Sequence, residues 1–135
     1  MEKILVSLVL LSTIVLTSCK KDLVDTTDNS IEDITETQSF KNKIADGVSV
    51  VFFHASWCSV CEEQRPNVEE ASESDEKGEV RFIEVEHDDS RDVFDEYNVE
   101  GFPQLLFFKN GVEQERLKGK GHSAQKILDI ASKYN

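Results

Sequence analysis

Six consecutive residues, Val48-Ser49-Val50-Val51-Phe52-Phe53, form a β-branched and aromatic run with one polar member. This is the composition of a buried strand. A sheet built around such a strand needs apolar layers on both faces, so the rest of the chain is expected to supply helices for each side.

The flanking segments meet that demand. Thr35 to Ala45 carries helix signals: Thr35 and Gln38 have the spacing of a capping box, Phe40 and Ile44 share a face, and Gly47 follows as a stop. Cys58 to about Glu76 reads as a charged helix with Pro66 inside it, where the missing N–H predicts a kink. Glu79 to Glu86 reads as a second strand, with Val80, Phe82 and Ile83 as its apolar members. Ser90 is placed to cap a short helix bearing Val93, Phe94 and Tyr97. Gln104 to Phe108 is another apolar strand, and Asn110-Gly111 signals a two-residue hairpin to an antiparallel neighbour. Ser123 is placed to cap a last helix striped by Ile127, Ile130, Ala131 and Tyr134. The order α-β-α-β-α-β-β-α predicts an α/β domain: a parallel βαβ unit, then ββα, in one mixed sheet with helices on both faces.

The N-terminus reads as an address. Ile4 to Thr17 is an almost unbroken apolar run after Lys3. As a helix it would rise about 21 Å, short of the roughly 30 Å hydrocarbon core, so a signal-peptide core fits better than a spanning helix. The run ends Leu16-Thr17-Ser18-Cys19, which resembles the lipobox of bacterial lipoproteins. That resemblance implies cleavage before Cys19 and lipidation of Cys19 as the new N-terminus; the alternative is an ordinary secretory peptide. The expected organisation is a signal peptide over 1–18, a lipidated polar tether over 19–33 and one domain over 34–135. Lys20, rather than Asp, follows the cysteine, which by resemblance to Gram-negative sorting favours the periplasmic face of the outer membrane within the cell envelope.

The chain has 15 basic and 27 acidic residues, a net charge of −12, and residues 1–18 contribute none of it. An acidic domain of this kind is unsuited to nucleic acid and to charge-driven adsorption on anionic lipid. Of the three cysteines, Cys58 and Cys61 form a pair and Cys19 is left over, an odd thiol that lipidation would remove from redox chemistry.

Cys58-Ser59-Val60-Cys61 lies between the buried strand and the helix that follows. Cys58 would stand at the helix N-terminus, where free N–H groups and the macrodipole stabilise a thiolate. Cys61 lies one turn deeper on the same face, within disulfide reach. Cys58 is then able to attack a disulfide and Cys61 to resolve the mixed disulfide. Two other readings stay open on spacing alone. One is half a zinc site, to be completed by two of His54, His87 and His122; the other is a purely structural disulfide.

The run from Val50 to Cys61 with Pro66 five residues on resembles the active-site segment of the thioredoxin family. Tyr97 to Gly111 resembles that family's second signature, and Gly119 matches its later glycine. The resemblance covers about residues 34 to 135. It implies a thioredoxin fold and thiol–disulfide exchange, with Cys58 and Cys61 as the catalytic pair and their disulfide as the only redox group. It also implies a cis bond before Pro103 and docking of an extended substrate segment on Trp57, Phe102 and Pro103.

The sequence departs from the family at three positions near the pair and in the Ser59-Val60 dipeptide, where thioredoxins have Gly-Pro. Phe52 stands where thioredoxins have a buried aspartate, Glu84 where they have a lysine, and His54 where this strand usually has tryptophan. Glu84 and His54 are therefore the candidates for proton transfer. Ser59-Val60 adds no cation to steady the thiolate, while Glu62 and Glu63 oppose it by charge. These features lean toward a reductase or general exchange protein, with a dithiol oxidase or isomerase as the alternative. A metal-binding or non-catalytic lipoprotein is the alternative of another class. The expected partners are exported protein dithiols or disulfides, a membrane electron donor, and the membrane itself through Cys19. No metal, other cofactor or nucleic acid is expected, and the protein is expected to be a monomer.

Overall fold

The computed structural model describes residues 32–33 and 37–135. The signal peptide, Cys19, most of the tether and the Thr35 half of the capping box lie outside the described residues. The order is β1 (Glu32–Asp33), α1 (Thr37–Ile44), β2 (Val48–His54), α2 (Ser59–Glu73), β3 (Val80–Glu86), α3 (Arg91–Glu96), β4 (Gln104–Lys109), β5 (Val112–Lys118) and α4 (Ala124–Ser132). The strands form one mixed sheet in the order β1-β3-β2-β4-β5. β1 and β2 run parallel to β3, while β4 is antiparallel to β2 and β5 to β4.

The central position of β2 follows from its composition. All seven of its residues are buried, and alternate side chains feed two separate cores. Val48, Val50 and Phe52 join Val68 and Ala71 of α2 and Ile127 and Ile130 of α4. Val51 and Phe53 join Phe40 and Ile44 of α1 and Val93 and Phe94 of α3. A period of two thus puts apolar atoms on both faces, and each face acquires the two helices it requires.

The turns act as their residues predict. Gly47 ends the first helical segment at φ +74°. Asn110 and Gly111 take φ 49° and 78°, the paired positive values of a tight hairpin, and Lys109 faces Val112 across it. The hairpin tip is fastened to the α1–β2 turn, since the Gly47 N–H donates to Asn110 Oδ1 (2.8 Å) and the Asn110 N–H to the Gly47 carbonyl (2.9 Å). Ser123 caps α4, its hydroxyl accepting from the Lys126 N–H.

Three expectations need correction. Glu32 and Asp33, assigned to the tether, pair with Ile83 and Glu84 and extend the sheet by a short strand. The backbone of β3 had an open edge there, and hydrogen-bonding partners outweigh a polar composition. The helix after Cys58 ends at Glu73, not Glu76; the Ser74 N–H bonds to the Glu70 carbonyl and the Gly78 N–H to the Asp75 carbonyl in a turn. Ser90 occupies the N-cap of α3, but its hydroxyl makes no capping bond.

Phe40 meets Phe53, Tyr97 and Phe108 edge to face, at centroid separations of 6.1, 5.0 and 6.0 Å. Phe40→Ala is expected to lower unfolding free energy in urea by about 3–5 kcal/mol, the cost of an unfilled aromatic cavity.

Candidate active site

Cys58 is the N-cap residue of α2, with extended backbone (φ −90°, ψ 101°). Its Sγ accepts a hydrogen bond from the Cys61 N–H at 3.2 Å. The same N–H also donates to the Cys58 carbonyl (3.0 Å), and its approach to sulfur at the helix start is the arrangement that favours a thiolate when the pair is reduced. Cys58 and Cys61 are disulfide-bonded, with their Cα atoms 5.2 Å apart. Cys61 is sealed at 1 % exposure, and Cys58 keeps only a 9 % window. The expected contrast between an open and a shielded sulfur is present but small.

The window is lined by a second loop. The Phe102–Pro103 bond is cis, and the Phe102 carbonyl lies 3.9 Å from Cys58 Sγ. The three residues expected to dock substrate thus gather at the nucleophile. Trp57 is 65 % exposed, so simple packing beneath the loop does not explain it. Its ring stands 5.4 Å from Phe102, and Phe102 packs in turn on Phe94 and His87.

A third loop, after β3, holds this arrangement and was not singled out by sequence reasoning. The Trp57 indole N–H donates to Asp88 (3.0 Å), whose other oxygen pairs with His87 Nδ1 (2.8 Å). Those bonds from His87 and Trp57 lower the Asp88 pKa. Glu86 accepts from the backbone N–H of Ser56 (2.8 Å), Asp88 (2.6 Å) and Asp89 (3.2 Å), tying the cysteine loop to the β3–α3 loop. Partial burial opposes ionisation of Glu86, and the three N–H donors prevail and lower its pKa. Their only sequence signal is position just past a strand end, which many surface carboxylates share.

Glu84 and His54 are brought together, with an addition. His54 Nε2 bonds Glu84, Arg65 Nη2 bonds the same Glu84 oxygen (2.6 Å), and Arg65 also reaches His54 Nδ1 (3.2 Å). Arg65 lies one helical turn after Cys61. Its guanidinium lies 5.5 Å from the Phe52 ring centre. His54 stacks on the same ring at 5.2 Å. Burial pushes the Glu84 pKa up, but the bonds from His54 and Arg65 outweigh it and bring it down to about 2. A carboxylate that acidic is a poor proton acceptor. Of the charges that oppose a thiolate, Glu63 is partly offset by its bond to Lys120.

The histidines weighed as zinc ligands are engaged elsewhere. His54 pairs with Glu84, His87 with Asp88, and His122 with the Lys118 carbonyl. The backbone of His122 is held by Gln64 of α2, whose amide donates to its carbonyl (2.7 Å) and accepts from its N–H (3.0 Å). Among the described residues, no three His, Cys, Asp or Glu side chains converge on a common metal position.

A dithiol pair at a helix start, facing a cis-proline loop at the end of a mixed sheet, defines a thiol–disulfide oxidoreductase. The sequence pattern of the Thioredoxin family matches residues 31–133, and the chain belongs to that family. It is 32% identical over 101 residues to thioredoxin of Mycoplasma genitalium, covering 75% of this chain and 91% of that one. It is 36% identical over 75 residues to a putative protein disulfide-isomerase of Schizosaccharomyces pombe, a stretch that is 56% of this chain and 15% of that protein. Among solved structures, Malassezia sympodialis thioredoxin superposes with a TM-score of 0.68 at 26% identity, covering 78% of this chain and 90% of its own. Oxidised thioredoxin of Plasmodium falciparum gives 0.66 at 26%, covering 78% and 98%.

The low pKa of Glu84 carries a stability consequence. Its folded-state pKa lies below its ordinary 4.5, so the stabilisation is complete above about pH 5 and lost as pH falls toward 2. Glu84→Gln is expected to cost about 2–3 kcal/mol at pH 7 and to flatten the acid limb of stability against pH between 5 and 2.

Proposed function

We propose that this protein is an exported, lipid-anchored thiol–disulfide oxidoreductase that reduces disulfides of other exported proteins. The observation that carries the exchange chemistry is the Cys58 sulfur at the α2 N-cap, facing the Phe102 carbonyl. In the reduced protein, the Cys58 thiolate attacks one sulfur of a substrate disulfide. A mixed disulfide forms, and the displaced substrate thiolate takes up a proton. Cys61, once deprotonated, attacks Cys58 Sγ and releases the second substrate thiol. Two electrons have then passed from the dithiol to the substrate, leaving the Cys58–Cys61 disulfide for a membrane dithiol donor to reduce. Trp57, Phe102 and the backbone before Pro103 receive the substrate as an added extended segment.

Glu84 is too acidic to hold the proton given up by Cys61. His54, held at Nε2 by Glu84 and stacked on Phe52 in the core that contains Cys61, takes that role in this reading, its Nδ1 releasing the Arg65 N–H to accept the proton. Export and anchoring rest on the apolar run 4–17 and on Cys19; direction rests on Ser59-Val60, which adds no cation, and on Glu62 and Glu63.

Cys61→Ser is expected to accumulate mixed disulfides with envelope proteins through Cys58, seen as reductant-sensitive adducts that vanish in the Cys58→Ser, Cys61→Ser double variant. Absence of such adducts would sink the exchange reading. A Cys58–Cys61 potential near about −120 mV would instead mark a dithiol oxidase. Loss of fatty-acid labelling in Cys19→Ser tests the anchor. His54→Gln is expected to slow mixed-disulfide release and shift its pH profile, while leaving Cys58 alkylation unchanged.

A further inference from the structure

The loop between α3 and β4 carries the carbonyl that faces Cys58, yet it belongs to no helix or sheet ladder that would set its shape. Asn98 and Gly101 both take positive φ, 51° and 78°. The carbonyls of Tyr97, Asn98, Glu100 and Gly101 are therefore left for side chains to satisfy. Two side chains do so. Arg116 of β5 donates to Tyr97 O (2.8 Å) and Asn98 O (3.1 Å). Gln104, 2 % exposed at the start of β4, donates from its amide nitrogen to Glu100 O (3.0 Å) and Gly101 O (2.8 Å).

The two are joined, because Arg116 Nη1 also donates to Gln104 Oε1 at 3.3 Å. The other edge of the guanidinium is held by both oxygens of Glu113, each at 2.8 Å. Just past the loop, the Gly119 N–H takes the Pro103 carbonyl at 2.9 Å. Phe102 is thus bracketed by bonded carbonyls, while its own carbonyl is turned toward the sulfur.

We propose that Gln104 and Arg116 are positioning residues for substrate docking, holding the Tyr97–Gly101 loop so that the Phe102 backbone meets an incoming segment beside Cys58. The proposal rests on the exchange reading above, in which substrate pairs with this backbone. Neither side chain bonds to the cysteines. Their effect is confined to substrates long enough to add as an extended segment; a small thiol reagent, which needs only the Cys58 thiolate, is indifferent to them. Arginine matters here for its planar fork, which reaches two carbonyls, an amide oxygen and a carboxylate at once, and lysine has no such fork.

The test compares two reactions of the full-length chain: reduction of insulin disulfides, and alkylation of reduced Cys58 by iodoacetamide. Arg116→Gln and Arg116→Lys are both expected to lower kcat/KM for insulin about tenfold, chiefly through KM, because small misplacements of a docking group are costly. Gln104→Leu is expected to lower it further. Alkylation should stay within about twofold for all three. Arg116 lies at the surface end of the cluster, so its variants keep the test valid if Gln104→Leu fails to fold. Unchanged insulin reduction in the Arg116 variants overturns the positioning role, as does an equal fall in alkylation. If the unsubstituted protein neither reduces insulin nor alkylates at Cys58, the exchange reading fails, and this proposal fails with it.

Discussion

Burial of β2 on both faces is the constraint on which the rest of the structure depends. Its backbone is laddered to β3 on one side and β4 on the other, and its side chains enter two cores. No register shift is available to such a strand, since a one-residue slip would exchange every side chain between the cores. The parallel pairing continues one step further through the His87 N–H on the His54 carbonyl. The chain leaves β2 at a fixed point and height, and Cys58 follows four residues on. The rigidity of the site is thus inherited from the strand beneath it.

Three loops meet at that end of the sheet, and side chains from neighbouring strands and loops fasten them. Glu86 holds the cysteine loop, Asp88 holds Trp57, and Gln104 with Arg116 holds the loop before Pro103. Gln64 fastens the loop ahead of α4 to the helix that carries Cys61. The polar side chains around this site are therefore engaged mainly with backbone. This is how a loop-built site acquires definition without secondary structure of its own.

The electrostatics beneath the disulfide depart from the usual thioredoxin arrangement. With phenylalanine at position 52, charge near Cys61 moves sideways to Glu84, His54 and Arg65, which bind one another. Ionised Glu84 and cationic Arg65 offset each other at 2.6 Å. A mutually bonded group of this kind tolerates burial that no single member would.

Much of this was legible in the chain itself. The apolar run 48–53, Asn110-Gly111, Ser123 and the periodic apolar residues of the last helix determined the strands, the hairpin, a cap and the α/β class, because each signal acts within a few residues. The cysteine pair was legible for the same reason, and so was its place at a helix start. The chain could not disclose the partners of residues far apart in sequence. Trp57 with Asp88, Arg65 with Glu84, and Arg116 with the carbonyls of Tyr97 and Asn98 are joined only when the sheet brings its loops together. The same holds for Glu32–Asp33, a polar pair made strand by the open edge of β3. Local chemistry determines elements; which charge meets which carbonyl is decided by the register of strands, and that only the tertiary structure sets.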